Sequence, residues 1–582
     1  MNGRYYLSGI AITGKSMNSM QYSFASCLTY PMVLMVVAFC ANDARGQVFD
    51  ERFEDWPVNL KIQGTIIASG DATVSLEVLE SLFRNRVDPS LVMVIGQPEQ
   101  KEPMTAIEKF FGTSTRWSLD ELFTSEPFPG EPLTGEPLTV DEFAKIDLIV
   151  WQDHREASEF SSELLKRVEE VFRAHIARGK TLMVVGPQSK SLSAFFIASM
   201  HEDQPIISRG MNLLPEVVLE SRFDDSAQGR AHVLSVLACH PRMVGIGLEK
   251  DTLLILRGRK LRVFGLGQAV LMLNGSPTYP ARLESISPET ARERTSERVL
   301  ADLTEWRRDA IDRTLAPFPP NAPETPWVEK GTLMIVGGGG MPTGLMGRFV
   351  EAAGGVDNAK LVYVPCEEAD EVAEEQGMVS TWKRMGVKNA TFVHTKDRLR
   401  ANQAEDFLLP LKDATGIWFG GGRQWNLADS YYGTAAHRCM KEVLHRGGVI
   451  GGSSAGASIQ ARYLARATPI DNFKIMAPGY ERGGLGFISG VAIDQHFTQR
   501  RRQPDMTQLV NRYQQLLGIG IDEATAITVV GSTATVSGTG KVYFYDRRQP
   551  VVPDREDFLA LGNGQSYDLA SRKGISDSPS TF

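Results

Sequence analysis

One short run of small residues stands where a nucleophile would be expected. Residues 452–456 read GSSAG and fit the pattern G-x-S-x-G, with Ser454 at the centre. A β-branched segment precedes the run and a helix-like segment, residues 457–466, follows it, so the serine would lie on a sharp strand-to-helix turn. Such a turn crowds its own backbone and needs small flanking residues. The sequence therefore predicts Ser454 as a nucleophile, with the amide of Ala455 placed to donate to a developing oxyanion.

A serine nucleophile needs a base, and the base needs an acid that orients it. Of nine histidines, His496 is the best placed, because it lies in a polar stretch, residues 494–500, directly after a predicted strand. Glu523 ends a further predicted strand that reads GIGIDE. The neighbouring Asp522 is the competing acid, but its side chain should point to the opposite face of the strand. The sequence predicts His496 as the base and Glu523 as the orienting acid.

The glycine run at residues 337–340 allows a second interpretation, which is phosphate binding. No Gly-Lys-Ser/Thr follows the run and no spaced G-x-G-x-x-G opens its helix, so nucleotide binding is disfavoured. These glycines are better explained by a close approach of the backbone to the same cleft. Removal of a signal peptide would leave three of the five cysteines, widely spaced, which offer neither a zinc pattern nor a disulfide framework. We expect no metal and no organic cofactor.

The elements around these residues predict an α/β fold. In the second half of the chain, short β-branched runs alternate with amphipathic helical stretches such as residues 434–445. Alternation of this kind indicates a doubly wound, mostly parallel sheet covered by helices on both faces. In such sheets ligands bind at the carboxyl ends of the strands, where the glycine-rich turns fall.

The first half of the chain repeats the order of four segments found in the second half. We therefore predict tandem domains at residues 58–275 and 330–550, the first a degenerate copy of the second. Aligning the segments puts Ser189 opposite Ser454, Arg222 opposite His496 and Lys250 opposite Glu523. Because the first copy lacks the base and the acid, we expect it to be catalytically inactive. A helical stretch and proline-rich linker at 276–329 and a tail at 551–582 complete the division.

Composition and the N-terminus limit the possible partners. The chain has 582 residues and a net charge of −8, which argues against nucleic acid as a main partner. An apolar run at residues 28–41 is too short to span a bilayer and leads to a small-x-small site ending at Gly46. Residues 1–46 are therefore predicted to be a signal peptide. We expect export to the periplasm or the medium, with no membrane association after cleavage.

The motifs together resemble those of cyanophycinases and the related aspartyl dipeptidases, a family of serine peptidases. The resemblance rests on residues 451–457 (GGSSAGA), 494–497 (DQHF), 518–526 (GIGIDEATA) and 420–424 (GGGRQ). It implies a flavodoxin-like fold similar to class I glutamine amidotransferases, with Ser454, His496 and Glu523 as the triad. Gly421 or Gly422 would supply the second oxyanion amide. The chain order Ser…His…acid differs from that of α/β-hydrolases.

The resemblance also implies a substrate cleft and leaves its substrate open. Its matching positions are Gln424, Asp494, Gln495, Arg500 and Arg502. Cyanophycinases hold a polyaspartate backbone that bears arginine side chains, but Arg423 stands here where the family often has an acid. A cyanophycin-like polymer and acidic or isoaspartyl dipeptides therefore both remain candidates. An exported binding protein without catalysis is the alternative from another class, and pairing as a homodimer or between the two repeats is a further expectation.

Overall fold

The computed structural model describes most of the chain between residues 62 and 575. Its internal gaps are residues 72–73, 84–90, 97–105, 112–114, 118–143, 154, 202–203, 289–300, 373–376 and 471–473. The predicted signal peptide, residues 1–46, lies outside the described residues and stays a prediction. None of the helices within the described ranges is long and apolar enough to span a bilayer.

The first half contains fourteen described strands and four described helices. The strands are β1 (Ile62–Ser69), β2 (Val92–Ile95), β3 (Thr115–Trp117), β4 (Leu148–Gln152), β5 (Thr181–Val185), β6 (Ser193–His201), β7 (Gln204–Arg209), β8 (Leu214–Ser221), β9 (Val244–Leu248), β10 (Thr252–Gly258), β11 (Lys260–Gly265), β12 (Ala269–Leu273), β13 (Arg282–Ile286) and β14 (Ala301–Asp302). The helices are α1 (Leu76–Phe83), α2 (Ala106–Phe111), α3 (Ser162–Ala177) and α4 (Ala227–Cys239).

The second half follows helix α5 (Leu303–Asp312), which joins the two halves. Its strands are β15 (Val328–Val336), β16 (Lys360–Cys366), β17 (Asn389–Phe392), β18 (Gly416–Gly422), β19 (Val449–Ser453), β20 (Ala461–Tyr463), β21 (Ile488–Gln495), β22 (Leu517–Ile521), β23 (Thr525–Gly531), β24 (Thr533–Gly538), β25 (Val542–Asp546), β26 (Leu559–Leu561), β27 (Ser566–Asp568) and β28 (Lys573–Ile575). Its helices are α6 (Leu345–Ala352), α7 (Gly355–Asn358), α8 (Met378–Arg384), α9 (Arg398–Gln403), α10 (Glu405–Asp413), α11 (Trp425–Tyr431), α12 (Ala435–His445), α13 (Ala455–Ser458) and α14 (Gln503–Arg512).

Each half is built on two sheets, and the strands that the halves share follow the same order; β7 has no counterpart in the second half. The larger first-half sheet has the order β3-β2-β4-β5-β1-β10-β11-β14, and its counterpart has the order β17-β16-β18-β19-β15-β23-β24-β27, extended by β28. The smaller sheets run β7-β6-β8-β9-β12-β13 and β20-β21-β22-β25-β26. Equivalent pairs also share their direction; for example β1 and β15 each lie between one parallel and one antiparallel neighbour. The predicted duplication remains a prediction, and the shared strand order supports it.

The sequence explains why helix α12 forms and why it ends just before β19. Thr434 caps the helix, since its hydroxyl accepts a hydrogen bond from the amide of His437 at 3.3 Å. Met440, Val443 and Leu444 recur at helical spacing and are buried in the core of the second half. A turn through Gly447, whose φ is 89°, then leads into β19. This matches the helix expected at residues 434–445.

Several sequence predictions need correction at the level of elements. The sheets are mixed rather than mostly parallel, because antiparallel strands β23, β24, β27 and β28 extend the parallel part of the larger sheet. The helix expected at residues 457–466 is only the four-residue α13, followed by β20. Ala461 and Tyr463 in β20 are buried and pair with β21, so sheet formation outweighs helix propensity there.

Both halves extend beyond the C-terminal limits predicted for them, residues 275 and 550. Residues 282–286 and 301–302, assigned to the linker, form β13 and β14 and complete the two sheets of the first half. Residues 559–575, assigned to the tail, supply β26, β27 and β28 to the second half. These strands are only two to five residues long, so their sequence gives little periodic signal. They are strands because they pair with the edges of the sheets, which offer them hydrogen-bonding partners.

A buried cluster of charges joins the two halves. Arg259, in the turn between β10 and β11, donates hydrogen bonds to Asp302 and to Asp429, which lies in α11 of the second half. Arg308 of α5 also donates to Asp429, and the hydroxyl of Tyr480 donates to the same carboxylate at 2.9 Å. Because Asp429 is fully buried, these partners hold its charge within the contact between the halves.

Candidate active site

Ser454 lies at the end of β19, in a backbone conformation that few non-glycine residues adopt. Its φ is 58°, and helix α13 begins at the next residue. A Cβ atom at Gly452 would lie 2.2 Å from the carbonyl oxygen of Gly456, and one at Gly456 would lie 2.2 Å from that of Phe419. The turn therefore requires glycine at both positions. This geometry corresponds to the strained nucleophile turn expected from the sequence.

Ser454, His496 and Glu523 form a continuous chain of hydrogen bonds. The Oγ atom of Ser454 lies 2.9 Å from Nε2 of His496, and Nδ1 of His496 lies 2.6 Å from Oε1 of Glu523. Because a carboxylate only accepts hydrogen bonds, Nδ1 carries the proton and Nε2 is left to accept the serine hydroxyl. The structure thus brings together three residues that are separated by up to 69 positions in the sequence.

Electrostatics favour the neutral form of His496. Burial lowers the pKa of its imidazole, the hydrogen bond to Glu523 acts in the opposite direction, and the charge of Arg500 lowers it further. The net effect is a pKa below the ordinary value of 6.5. At neutral pH the ring is therefore available to accept a proton, which is what a general base requires.

The glycine run that follows β15, residues 337–340, packs against the side chains of His496 and Glu523. A Cβ atom at Gly338 would lie 2.4 Å from Cε1 of His496, and one at Gly339 would lie 2.4 Å from Cδ of Glu523. The φ values of these glycines are 95° and 63°, which other residues rarely adopt. The carbonyl of Gly337 also accepts the amide of His496 at 2.8 Å. The sequence indicated an approach of this run to the cleft, but not the residues it would contact.

The two acids at the end of β22 have different surroundings. The carboxylate of Asp522 accepts hydrogen bonds from the amide and hydroxyl of Thr498 at 3.0 and 2.7 Å, and from the amide of Lys541. It therefore braces the loop that carries His496 and does not contact the imidazole itself. The amide of Glu523 donates to Oε1 of Gln499 at 3.0 Å, which fixes Glu523 from the same loop. Gln499 had no distinguishing signal in the sequence beyond its place beside His496.

The backbone around Ser454 offers two sets of amides. Ala455 is the first residue of α13 and follows the serine directly. Gly421, near the end of β18, is so close that a Cβ atom there would lie 3.9 Å from the serine Oγ. Gly422 is in the positive φ region at 146°, and its α-carbon faces the backbone of Cys366. Ala455 and Gly421, two of the three residues expected to form an oxyanion site, therefore lie beside the serine.

The second half of the chain is similar to known proteins. Residues 333–537 match the family model described as Peptidase family S51. The cyanophycinase of Geminocystis herdmanii (strain PCC 6308) is 28% identical over 228 residues, which cover 38% of this chain and 82% of that protein. The cyanophycinase of Thermosynechococcus vestitus is 28% identical over 226 residues, covering 38% of this chain and 69% of that protein.

Among solved structures, a peptidase from an acI-B1 Actinobacterium is similar over 41% of this chain and 97% of its own, with 23% sequence identity and a TM-score of 0.29. The family match and the cyanophycinase relatives support a peptidase, hence a hydrolase, in the second half of the chain.

Four of the five residues expected to line the substrate cleft of the S51 segment are buried and bonded to the protein itself. Nε2 of Gln424 donates to the carbonyls of Ala465 and Arg466 at 2.8 and 2.7 Å. Asp494 and Gln495 are the last residues of β21 rather than part of a loop, and Asp494 is fully buried. Arg502 donates to Asp494 at 2.8 Å and to the carbonyl of Gln495 at 2.7 Å. These contacts hold the four residues within the protein itself.

Arg466 is a further member of this group that the sequence analysis did not single out. Its guanidinium holds Asp494 at 2.9 Å and Asp505 at 2.7 Å, and its φ of 58° is in the left-handed region. The partners are 28 and 39 residues away, so no local pattern could have revealed them. Arg500 differs from the rest of the group, because it is exposed and lies one turn beyond His496, to whose carbonyl its amide donates at 3.0 Å.

The equivalent positions of the first half carry different side chains. In the first half, β1 pairs with β5 so that Thr65 lies opposite Thr181. In the second half, β15 pairs with β19 so that Thr332 lies opposite Val449. Counting five residues on from Thr181 and Val449 places Gly186 at the position of Ser454. The predicted equivalence of Ser189 is therefore wrong, because matching glycines shifted that alignment by three residues. Ser189 is fully buried and donates to the carbonyl of Val184 at 2.9 Å.

The other two equivalences agree with the registers. β8 pairs Val217 with Val244, and β21 pairs Val491 with Leu517, which places Arg222 opposite His496 and Lys250 opposite Glu523. Arg222 has a φ of 53°, close to the 49° of His496, and each amide donates to the equivalent glycine carbonyl at 2.8 Å. The first half thus has the backbone of the site without its serine, histidine or glutamate.

No group of three or more His, Cys, Asp or Glu side chains that could hold a metal ion occurs in the part of the chain that the structure describes.

Proposed function

We propose that the second half of the chain is a serine-type peptidase that uses Ser454 as nucleophile, His496 as general base and Glu523 as the acid that orients His496. The observation that carries the proposal is the hydrogen-bond chain from Ser454 Oγ to Glu523 Oε1, with distances of 2.9 and 2.6 Å. Its members lie at the carboxyl ends of β19, β21 and β22, where ligands bind in α/β proteins.

The proposed reaction proceeds through an acyl-enzyme. Oγ of Ser454 attacks the scissile carbonyl while Nε2 of His496 takes the hydroxyl proton, and the oxyanion receives hydrogen bonds from the amides of Ala455 and Gly421 or Gly422. The C–N bond then breaks, and His496 gives its proton to the leaving amine. Water, activated by His496, hydrolyses the ester and restores the serine. Each oxyanion donor is worth about 3–4 kcal/mol in comparable sites.

For the substrate we propose a peptide with an aspartyl or β-aspartyl residue at the scissile bond, as in cyanophycin. Two relatives are named cyanophycinase, which supports this class. The exposed Arg500 beside the base suits a substrate carboxylate, which an arginine binds through two parallel hydrogen bonds. Acidic or isoaspartyl dipeptides have the same carboxylate and are the second candidate.

We further propose that the first half is a catalytically inactive copy and that the chain is exported after cleavage near Gly46. The shared strand order supports the first proposal, and the apolar run at residues 28–41 supports the second. N-terminal sequencing of protein recovered from the native host would test export, with a mature terminus near Gln47 as the expected result.

A fluorophosphonate probe tests the serine chemistry, because only an activated serine reacts with it. We expect the wild-type protein to be labelled at Ser454 and the Ser454→Ala variant to remain unlabelled. Incubation with cyanophycin and with a panel of aspartyl and isoaspartyl dipeptides, followed by product analysis, identifies the substrate class. Absence of labelling in a folded wild-type protein would favour the alternative of an exported binding protein.

A further inference from the structure

Arg466 lies in the turn that follows β20, and this turn contacts two separate parts of the candidate active site. The residue is 6% exposed, and its φ of 58° is in the left-handed region that few non-glycine residues adopt. Its amide donates to the carbonyl of Ile475 at 2.8 Å, which holds the turn against the loop that follows. A buried arginine in this conformation requires partners for its charge, and those partners connect it to the site.

The guanidinium of Arg466 holds the strand that leads to the base. Its Nε lies 3.2 and 3.1 Å from Oδ1 and Oδ2 of Asp494, and its Nη2 lies 2.9 Å from Oδ2. Asp494 is fully buried near the end of β21 and precedes His496 by two residues. Asp505 in α14 accepts a hydrogen bond from the same Nη2 at 2.7 Å. Because the planar fork of arginine fixes a carboxylate in direction as well as in distance, Arg466 orients the end of β21.

The backbone of the same turn holds the oxyanion segment, which is residues 421–422 at the end of β18. The carbonyl oxygens of Ala465 and Arg466 accept hydrogen bonds from Nε2 of Gln424 at 2.8 and 2.7 Å. Gln424 is buried and follows the last residue of β18 by two positions. Its side chain therefore fastens the connection between β18 and α11 to the turn at residues 465–466.

We propose that Arg466 is a positioning residue for the peptidase reaction, which sets the position of His496 relative to the oxyanion segment. Its guanidinium reaches the base through Asp494, and its carbonyl reaches the oxyanion segment through Gln424. The strands that carry these two parts, β21 and β18, belong to different sheets, so strand pairing does not fix one against the other. A buried residue bonded to both does, and acyl transfer requires the base and the oxyanion donors to be in place together. The inference rests on the proposed function, since it concerns how the serine reacts.

The rate at which a fluorophosphonate probe labels Ser454 measures this role, because the reaction needs the base and the oxyanion donors but no knowledge of the substrate. Arg466→Lys keeps the positive charge but cannot hold both oxygens of a carboxylate in one plane. We expect the limiting rate of labelling to fall about 10–100-fold, the scale of a misplacement of ~1 Å. The probe concentration that gives half of that rate should change little.

Arg572→Lys is the matched control. The side chain of Arg572 is as buried as that of Arg466, 5% exposed in each case. Arg572 bonds to Asp546 and to the carbonyl of Gln515, neither of which belongs to the site. Thermal unfolding should show a loss of stability in both variants, whereas only Arg466→Lys should be labelled slowly. Equal limiting rates in the wild type and in Arg466→Lys would overturn the proposal.

A double-mutant cycle with Gln424→Met tests the link between the two parts of the site. Methionine is similar in shape but has no donor for the carbonyls of residues 465–466. Because both substitutions disturb the same turn, we expect the double variant to lose less than the product of the two single losses. Losses that multiply to within about twofold would show independent action and would contradict the proposal.

If Arg466→Lys does not fold, Asp505→Asn takes its place, since it removes the partly exposed partner of the guanidinium and leaves Asp494 bonded. It should lower the limiting rate about two- to fivefold, and an unchanged rate would contradict the proposal. A folded wild-type protein that the probe does not label would overturn the proposed function and this inference with it. A labelled wild type with an equally reactive Arg466→Lys would overturn the positioning role alone.

Discussion

Nδ1 of His496 lies 2.6 Å from Oε1 of Glu523, and the side chain of Glu523 is about one-third exposed (35%). The base is therefore oriented by an acid at the rim of the site, not by one buried beneath it. Two contacts keep this acid in place: Gln499 accepts its amide, and Gly339 leaves room for its carboxylate. The orientation of His496 thus depends on one loop and one glycine turn.

Replacing this acid by its amide should remove most of the activity. Glu523→Gln lets the side chain donate to Nδ1, which would favour the tautomer that carries its proton on Nε2 and cannot accept the serine hydroxyl. We expect kcat to fall about 10²–10⁴-fold with little change in folding. Steady-state kinetics on the best β-aspartyl substrate would measure it, with Glu405→Gln, at an exposed acid of α10, as the control. Activity within twofold of the wild type would remove Glu523 from the mechanism.

The dependence of kcat/KM on pH should respond to the positive charge of Arg500 near His496. The imidazole must be neutral to act as base, so kcat/KM should fall as pH decreases through its pKa, which burial places below 6.5. Arg500 lowers this pKa further, and Arg500→Gln should therefore move the acidic limb of kcat/KM to higher pH. Arg501→Gln removes an exposed charge that has no resolved effect on His496 and is the matched control. An unshifted limb in Arg500→Gln would show that Arg500 does not lower the pKa that controls the profile.

The main features of the site could be predicted from the sequence because the three residues directly follow predicted strands. The ends of neighbouring parallel strands meet at one edge of a sheet, so residues at these ends come together in the fold. Ser454, His496 and Glu523 follow β19, β21 and β22. The contacts that support them were not predictable, because Arg466 and Asp494 meet through the tertiary fold. Asp494 and Gln495 were expected in a loop, since a polar pair gives no sign that it completes a buried strand.

The repeat shows a second limit of the sequence. Glycines are frequent at turns in both halves, and matching them by identity placed Ser189 opposite Ser454. The strand registers, which depend on backbone pairing and not on residue type, place Gly186 there. Residues 559–575 were assigned to a tail because their sequence has no strand pattern. They form strands through backbone pairing with β24 and β25, which the sequence does not show.

A substitution at Gly338, which packs against His496, tests the site separately from the stability of the fold. Gly338→Ala places a methyl group against the ring of His496, and its φ of 95° adds backbone strain. A displacement of the base by about 1 Å should lower kcat/KM about 100-fold. Gly347→Ala in α6 is the control, because a Cβ atom there meets nothing within 4 Å. That control should keep full activity and gain roughly 0.5–1 kcal/mol of stability from better helix propensity. Full activity of Gly338→Ala would mean that the ring does not need this floor.

The buried charge cluster should make the contact between the halves depend on Asp429. Burial alone would raise the pKa of this carboxyl, but Arg308 and Arg259 lower it to about 2. Asp429→Asn removes the carboxylate charge that Arg259 and Arg308 share, and leaves Arg259 with Asp302. It should lower the free energy of unfolding by about 3–5 kcal/mol.

Asp413→Asn is the control for this change, because Asp413 forms an exposed pair with Lys360 at 3.4 Å, and it should cost less than about 1 kcal/mol. Urea denaturation at pH 7 would measure both variants. The folded pKa of Asp429 is depressed below its unfolded value of about 3.9, so its contribution is present above that pH and is lost as pH falls towards 2. The difference between the wild type and Asp429→Asn should therefore narrow in acid, and a difference that stays constant between pH 7 and pH 3 would contradict this assignment.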